Sequence, residues 1–222
     1  MSGANIKKYL PFIAIAAGIL LFFGVVLVIR KINQPVVDNS QSDEVVADLP
    51  AEQRPTVALV PTSDGHYLGL KIEQIDKVKS ASSMDYELLW KANNAGNQTT
   101  QGTSSTVKLA TQTTYSSDLL LGSESNGKFR YDQGVETGTI TLRFRDGNGK
   151  LLGKIASDFH LQSGVTSLSS MDGNFKYTLD KIATGVWFVT MQTFGKPSVG
   201  NVVTFSNGYS VLSSDSKPHS GK

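Results

Sequence analysis

The pattern of hydrophobic and polar residues divides the chain into an apolar head and a longer body of short alternating segments. Residues 9–29 contain no charged side chain, and a helix of this length would rise by about 31 Å, close to the thickness of the hydrocarbon layer of a bilayer. From Thr56 onward, short runs alternate between apolar and polar residues and are separated by turn residues, which is typical of β-strands. The sequence therefore predicts one transmembrane helix followed by an all-β domain.

The predicted transmembrane helix is long, uninterrupted and bounded by basic residues. Its apolar side chains would anchor it in the membrane, and the candidate anchor residues are Tyr9, Phe12, Leu20, Phe22, Phe23, Val28 and Ile29. A cleaved signal peptide is an alternative, but its apolar region has about 7–15 residues and ends at a small-x-small cleavage site. The segment from Val28 to Ile32 contains no such site. A buried helix of a water-soluble protein is disfavoured because this run has no polar face.

The orientation of the predicted helix depends on the charges beside it. Lys7 and Lys8 precede the helix, whereas Arg30 and Lys31 follow it. Basic residues favour the cytoplasmic side of a membrane, but here both ends of the helix carry the same number of them. The free α-amino group adds positive charge to the N-terminal side. We therefore expect the short N-terminus to be cytoplasmic and the body to be extracytoplasmic in the cell envelope, with the reverse orientation as the alternative.

Charge also changes along the chain, although the net charge is only +2. Residues 1–31 carry +4, residues 32–55 carry −4, and the remainder carries +2. Prolines and amides accompany the acidic residues, so this composition predicts a flexible linker rather than a packed element. The predicted organisation is a short tail over 1–8, the helix over 9–29, the linker over 30–55, a β-domain over 56–212 and a disordered tail over 213–222.

The body is expected to form a single β-sandwich of about nine to eleven short strands. The clearest strand, over 84–91, alternates apolar and polar residues, and a second strand over 139–145 is followed by the turn Asp146-Gly147-Asn148-Gly149. A four-residue loop would place Phe144 opposite Leu151, Leu142 opposite Gly153 and Ile140 opposite Ile155. The other predicted strands are 56–60, 67–75, 106–110, 117–121, 129–132, 175–179, 186–194, 201–205 and 209–212.

One stretch resembles a known group of extracellular modules. Gly173-Asn174-Phe175-Lys176-Tyr177-Thr178-Leu179, followed by Gly185-Val186-Trp187-Phe188-Val189-Thr190-Met191, is similar to the end of immunoglobulin-like, fibronectin-III-like and carboxypeptidase-regulatory-like sandwich domains. The resemblance extends over roughly residues 173–212 and implies an immunoglobulin-like sandwich on a cell surface, with no activity attached. Trp187 or Phe188 stands where the family pattern has Tyr, so the resemblance does not imply a tyrosine corner.

Composition excludes several kinds of chemistry. The chain has no cysteine, which rules out disulfides, thiol nucleophiles and cysteine-bound metals. Its three histidines and its lack of nucleotide-binding motifs indicate neither a metal centre nor a cofactor. The segment from Asp146 to Lys150 begins like a calcium loop but departs from that pattern at its fifth and sixth positions, so a hairpin turn is the better interpretation. Nucleic-acid binding is not expected because no concentrated basic excess is present.

The remaining candidates are surface residues and one histidine. The strand over 185–194 is apolar on both faces, whereas a sandwich strand has one core face. Its outer residues therefore need either a neighbouring loop as a cover or a partner. Phe188, Phe194, Tyr115, Phe129 and Tyr131 are the candidate contact residues, the last three as platforms for sugar rings. His160 and Asp158 lie two apart on one strand and could serve a hydrolase that also uses a distant serine.

Three hypotheses of function follow. The leading one is a non-enzymatic, single-pass membrane protein whose extracytoplasmic sandwich binds an envelope protein or a cell-wall glycan. The alternative is a sandwich-based hydrolase that uses His160 and Asp158, and the third is a structural subunit of an envelope machine. The sequence does not indicate an oligomeric state.

The predicted anchor has a direct test. We expect the full chain to remain with membranes after carbonate extraction, and Leu20→Arg to release it, because arginine near the centre of a transmembrane helix costs about 2.5–3.5 kcal/mol. Val37→Arg in the predicted linker is the matched control and should leave the chain in the membrane fraction. Release of the unmodified chain by carbonate, or a mature N-terminus beyond Ile32, would contradict the prediction.

Overall fold

The computed structural model describes residues 47–94 and 96–222 of the chain. The predicted N-terminal tail, the predicted transmembrane helix and residues 30–46 of the predicted linker lie outside this part. Within the described residues, no helix is both long enough and apolar enough to cross a membrane. Their regular structure consists of fourteen β-strands and two single-turn 3₁₀ helices, Ala51–Gln53 and Ile75–Lys77. The all-β prediction for the body is confirmed.

Seven antiparallel strands form the larger sheet. In spatial order they are β13 (Val202–Ser206), β14 (Tyr209–Ser213), β12 (Trp187–Gln192), β9 (Leu151–Ser163), β8 (Thr137–Arg145), β3 (Ser83–Asn94) and β4 (Asn97–Lys108). Apolar residues alternate with polar ones along β8 and β9, so each strand turns one row of side chains toward the interior.

Three further antiparallel strands form a second sheet, in the order β1 (Thr56–Pro61), β2 (Tyr67–Glu73) and β5 (Thr114–Leu120). Residues of both sheets pack into one hydrophobic cluster. Leu59 and Leu70 of the smaller sheet and Trp90, Phe144 and Phe159 of the larger one are almost fully buried there. Two antiparallel sheets that share one core are consistent with the predicted β-sandwich.

Two small hairpins complete the strands. They are β6 (Gly122–Ser125) with β7 (Lys128–Tyr131), and β10 (Ser167–Ser169) with β11 (Lys176–Thr178). The predicted nine to eleven strands were too few because β6 and most of β4 lack the apolar alternation by which strands are recognised, and β10, with three residues, is too short to show it. β4 and β6 bury no side chain and are specified by their pairing partners, whereas β10 contributes the buried Leu168.

The β8–β9 hairpin forms as predicted, but its register differs. Phe144 lies opposite Gly153 and Leu142 lies opposite Ile155, two residues from the predicted pairs. The difference arises because Arg145 pairs with Leu151, which leaves Leu152 as an extra residue in a bulge. A shift of two residues keeps every side chain on its predicted face, so the core assignment of the hairpin is right although its pairs are wrong.

A second hydrophobic cluster explains why β12 is apolar on both faces. Phe188 is 1% exposed and packs with Leu168, Leu179 and Val211, on the opposite side of the large sheet from the main core. Leu168 belongs to β10 and Leu179 follows β11. The β10–β11 hairpin therefore covers the outer face of β12, and Phe188 is not a free contact residue.

The C-terminal residues are ordered, contrary to the predicted disordered tail. Thr178 and Lys222 exchange backbone hydrogen bonds of 2.7 and 2.9 Å, and the Asp180 amide donates to the Ser220 carbonyl. The Tyr177 hydroxyl donates to the His219 carbonyl, and the His219 ring packs edge-on against Phe188. The tail is polar in sequence, but it pairs with the end of β11 and the residues that follow it, and it helps to enclose the second cluster.

The end of the predicted linker is also ordered, so the domain begins before residue 56. Leu49 is 2% exposed, and its amide donates to the Lys154 carbonyl at 2.8 Å. A Cβ at Gly153 would lie 2.6 Å from the Leu49 side chain, so the glycine provides the space that Leu49 occupies. The Arg54 guanidinium donates a hydrogen bond to the Leu49 carbonyl and so joins the two ends of the segment 49–54.

The turn of the β10–β11 hairpin is held against β14 by one carboxylate. Asp172 accepts hydrogen bonds from the Ser170 hydroxyl, the Tyr209 hydroxyl and the Asn174 amide. The Phe175 and Tyr209 rings stack at 5.6 Å beside this carboxylate. The Ser170 and Tyr209 hydrogen bonds, in this order, are the main reason that the pKa of Asp172 is lowered to about 2.

Phe188 provides a test of the second cluster. We expect Phe188→Ala to lower the free energy of unfolding by about 3–5 kcal/mol because it leaves a cavity beneath the β10–β11 hairpin. Phe129→Ala is the matched control, since Phe129 is 48% exposed and its truncation should change stability by less than about 0.5 kcal/mol. Urea denaturation of both variants measures the difference, and equal effects would contradict the assigned burial.

The lowered pKa of Asp172 predicts that the fold loses stability in acid. Its lowered pKa stabilises the fold above the unfolded-state pKa near 4, and this contribution is lost as the pH falls from about 4 through about 2. Tyr209→Phe removes one of its donors and should raise the pKa of Asp172, measured by NMR titration of its carboxyl carbon. The stability difference between the two proteins should be largest near neutral pH and shrink below pH 4. An unaltered titration would contradict the role of Tyr209.

Candidate functional site

A cleft of about 360 Å³ opens at one end of the domain. It is bounded by the β1–β2 loop, the β7–β8 loop, the end of β9 and the first residue of β12. The lining consists of residues 64–66, 132–136 and 160–163, with Val165 and Trp187. Loops from separate elements meet here, which is where concave binding sites are commonly formed.

Three aromatic rings form a row beside the cleft, which we call the aromatic row: His66, Tyr131 and Phe129. The His66 and Tyr131 rings are stacked, with centroids 3.8 Å apart and planes inclined by 4°. Phe129 continues the row at 6.3 Å from Tyr131 with an angle of 9°. Tyr67 packs edge-on against Tyr131. Phe129 and Tyr131 point to one side because they lie two apart on β7.

The β1–β2 loop is shaped by one carboxylate, which places His66 in this row. Asp64 accepts hydrogen bonds from the Thr62 hydroxyl and the His66 amide, and its other oxygen lies 3.2 Å from His66 Nδ1. The Thr62 hydrogen bond, followed by that of the His66 amide, lowers the pKa of Asp64 below its ordinary value. The carboxylate is therefore charged at neutral pH and positions the imidazole.

Gly65 allows the same loop to approach the cleft wall. Its φ is +71°, and a Cβ at this position would lie 2.5 Å from the Trp187 indole. Only glycine combines this backbone conformation with so close a contact. Trp187, at the start of β12, is half-buried and places its indole against the β1–β2 loop.

The β7–β8 loop is fixed to the core. The Trp90 indole donates to Asp132 at 2.8 Å, and the Asn93 amide donates to the Gln133 carbonyl at 2.7 Å. The Glu136 carbonyl accepts from the Leu161 amide. Because Trp90 is 2% exposed, a rigid core side chain determines where the Asp132 carboxylate lies.

The cleft is polar and negatively charged. Its lining holds the carboxylates of Asp64, Asp132 and Glu136 together with two imidazoles, and none of the lining residues is lysine or arginine. Carboxylates and amides accept or donate hydrogen bonds to hydroxyl groups, and aromatic faces pack against apolar surfaces. The arrangement is therefore able to hold a polar, uncharged or cationic ligand that also has flat apolar faces.

His160 and Asp158 are not brought together as a catalytic pair. The Asp158 carboxylate accepts from the Thr139 hydroxyl at 2.6 Å, whereas His160 Nδ1 lies 2.9 Å from the Ser169 carbonyl. Since a carbonyl only accepts, Nδ1 carries the proton in this contact. His160 lines the cleft, while Asp158 lines a separate depression beside Asp172 and Tyr209.

The five candidate contact residues lie in different places. Phe129 and Tyr131 belong to the aromatic row, while Phe188 is buried. Phe194 is half-buried, and the Arg54 guanidinium lies 5.3 Å from the centre of its ring. Tyr115, on β5 of the smaller sheet, packs against Tyr86 on β3 of the larger one. The sequence analysis identified neither His66 as part of the site nor the position of Trp187 in the cleft wall.

No group of three or more histidine, aspartate or glutamate residues within 47–94 and 96–222 is arranged to hold a metal ion. The carboxylates of the cleft are instead engaged by donors of the chain, as Asp64 is by Thr62 and Asp132 is by Trp90.

Comparison with known proteins does not assign the chain to a family. No protein-family model matches the chain, and no curated protein sequence is significantly similar to it. The resemblance of residues 173–212 to extracellular sandwich modules stays a prediction.

Proposed function

We propose that the chain is a non-enzymatic, single-pass membrane protein of the cell envelope whose extracytoplasmic β-sandwich, immunoglobulin-like in type, binds a cell-wall glycan. The ligand would lie along the aromatic row and extend into the cleft. The observation that carries the proposal is the stacked row of His66, Tyr131 and Phe129 at the rim of a carboxylate-lined cleft.

The chemistry of a sugar ring matches this site. A pyranose has an apolar face of C–H groups and a rim of hydroxyls, so it packs on an aromatic face while its hydroxyls reach polar groups at the side. Phe129 is 48% exposed and therefore presents its ring to solvent. Asp132 and Asp64 lie in the adjoining cleft as hydrogen-bond acceptors. Because both are held by other residues of the chain, they would be preorganised for a ligand.

The membrane part of the proposal rests on the sequence. The uncharged run over 9–29, with basic residues at each end, supports an anchor that stays in the bilayer. If residues 30–46 form a coil, this tether would have a root-mean-square length of roughly 23 Å. The sandwich would then remain close to the membrane surface, where an envelope glycan is within reach.

Binding is proposed rather than catalysis because of the geometry at His160. Its Nδ1 proton is engaged by the Ser169 carbonyl, and Asp158 is hydrogen-bonded to Thr139 instead. A serine hydrolase needs its histidine oriented by the carboxylate. No contact of the described residues favours the hydrolase hypothesis, whereas the aromatic row favours a ligand that stacks.

The proposal is tested by sedimentation of the full chain, in mild detergent, with insoluble peptidoglycan, chitin and cellulose as probes. We expect binding to at least one of them, and we expect Phe129→Ala and Tyr131→Ala each to weaken it by roughly fivefold or more, since stacked rings contribute about 1 kcal/mol or more. Tyr115 is half-buried like Tyr131 but lies on the smaller sheet, away from the aromatic row. Tyr115→Ala is therefore the matched control and should retain binding.

Two outcomes would contradict the proposal. One is binding that is equally strong in the Phe129→Ala, Tyr131→Ala and control variants, which would place the ligand elsewhere. The other is the absence of binding to all three glycans together with copurification of an envelope protein that depends on Phe129, which would assign the aromatic row to a protein partner.

A further inference from the structure

Strand β4 forms one edge of the large sheet and is unusually open. It pairs with β3 through twelve consecutive residue pairs, from Ser83 with Lys108 to Asn94 with Asn97, and the register contains no bulge. None of the described strands pairs with its outer edge. A straight edge of this length presents a row of free backbone donors and acceptors to any strand that can approach.

This edge lacks the features by which proteins prevent such pairing. The sequence Asn-Gln-Thr-Thr-Gln-Gly-Thr-Ser-Ser-Thr-Val-Lys contains no proline, no acidic residue and one basic residue, Lys108, at its end. Proline, inward charge, a bulge or a short strand would each discourage the addition of another chain. The four threonines also favour an extended backbone.

The opposite edge of the same sheet provides the contrast. β13 has five residues, and its register with β14 shifts between Val202 and Thr204. A short and irregular strand offers few consecutive backbone groups in line. One edge of the sheet is therefore interrupted, while the other is continuous over twelve residues.

The sequence of β4 is compatible with an antiparallel copy of itself. A two-fold axis perpendicular to the sheet keeps each face of one copy beside the same face of the other. Side chains alternate between the two faces, so odd-numbered residues must pair with odd-numbered residues and even-numbered with even-numbered. With the axis at Thr103, Thr100 lies opposite Thr106, Gln101 opposite Ser105 and Gln98 opposite Lys108. No charged residue meets a like charge, and threonine pairs are favourable across strands.

We propose that β4 joins β4 of a second copy of this chain, so that the two seven-stranded sheets continue into one another across a two-fold axis. Such an interface is isologous, with the same residues contributed by both copies, and its affinity comes mainly from backbone hydrogen bonds along the added strand. It is separate from the glycan site, because the aromatic row belongs to β7 and to the β1–β2 loop.

The absence of cysteine allows a clean test of this pairing. In the full chain purified in mild detergent, a single cysteine in Thr103→Cys should be cross-linked to its counterpart by a short bismaleimide. The yield should be at least tenfold higher than in Thr204→Cys, on the opposite edge. Two copies that meet through their membrane anchors or by random collision would cross-link the two cysteine variants equally. Equal yields from Thr103→Cys and Thr204→Cys would therefore overturn the proposal.

A charge variant tests the same interface without cross-linking. Thr103→Glu would place two carboxylates opposite each other at the axis, and like charges across an interface cost enough to raise the dimer dissociation constant by roughly tenfold or more. Sedimentation equilibrium measures the constant, and Thr204→Glu is the control with an unchanged value. Circular dichroism checks that both variants keep their strands. A monomeric unmodified chain, or equal constants in both variants, would refute the pairing.

Discussion

The burial of Trp90 links the stability of this domain to its candidate site. Its side chain lies in the core that the two sheets share, while its indole N–H donates to the Asp132 carboxylate, a residue of the cleft lining. A buried indole N–H needs a hydrogen-bond acceptor, and the Asp132 carboxylate of the β7–β8 loop provides it for Trp90. The cleft is therefore built on the packed interior rather than on loops alone, which is a condition for a preorganised binding site.

A second layer of packing extends this arrangement to the outer face of the large sheet. β12 is buried on both sides, with Val189 and Met191 in the main core and Phe188 beneath the β10–β11 hairpin. The hairpin is held by Asp172 and Tyr209 and is closed by the C-terminal residues. Trp187, the first residue of the same strand, forms part of the cleft wall, so this cover also supports one side of the site.

Much of this fold was predictable because the alternation of apolar and polar residues along a strand indicates which of its faces is buried. The strands β3, β8 and β9 have one apolar face each, and their predicted faces are the observed ones. The register of β8 and β9 was not predictable, because the extra residue at Leu152 is a property of the folded turn. Strand β4 was mostly missed because its polar residues carry no signal of burial, and the order of the C-terminal tail depends on pairing with residues more than forty positions away.

The candidate site was predictable only in part. Phe129 and Tyr131 could be picked out because they are aromatic residues in a polar sequence, whereas His66 joins them only because Asp64 shapes its loop. The contact of Leu49 with Gly153 has a geometric consequence for this site. Residue 47 meets β9 near its first residues, whereas the cleft lies at the far end, roughly 23 Å along the strand from Lys154 to Leu161. The described chain therefore enters the domain at the end of β9 that lies away from the candidate site, so residues attached there would not obstruct the cleft.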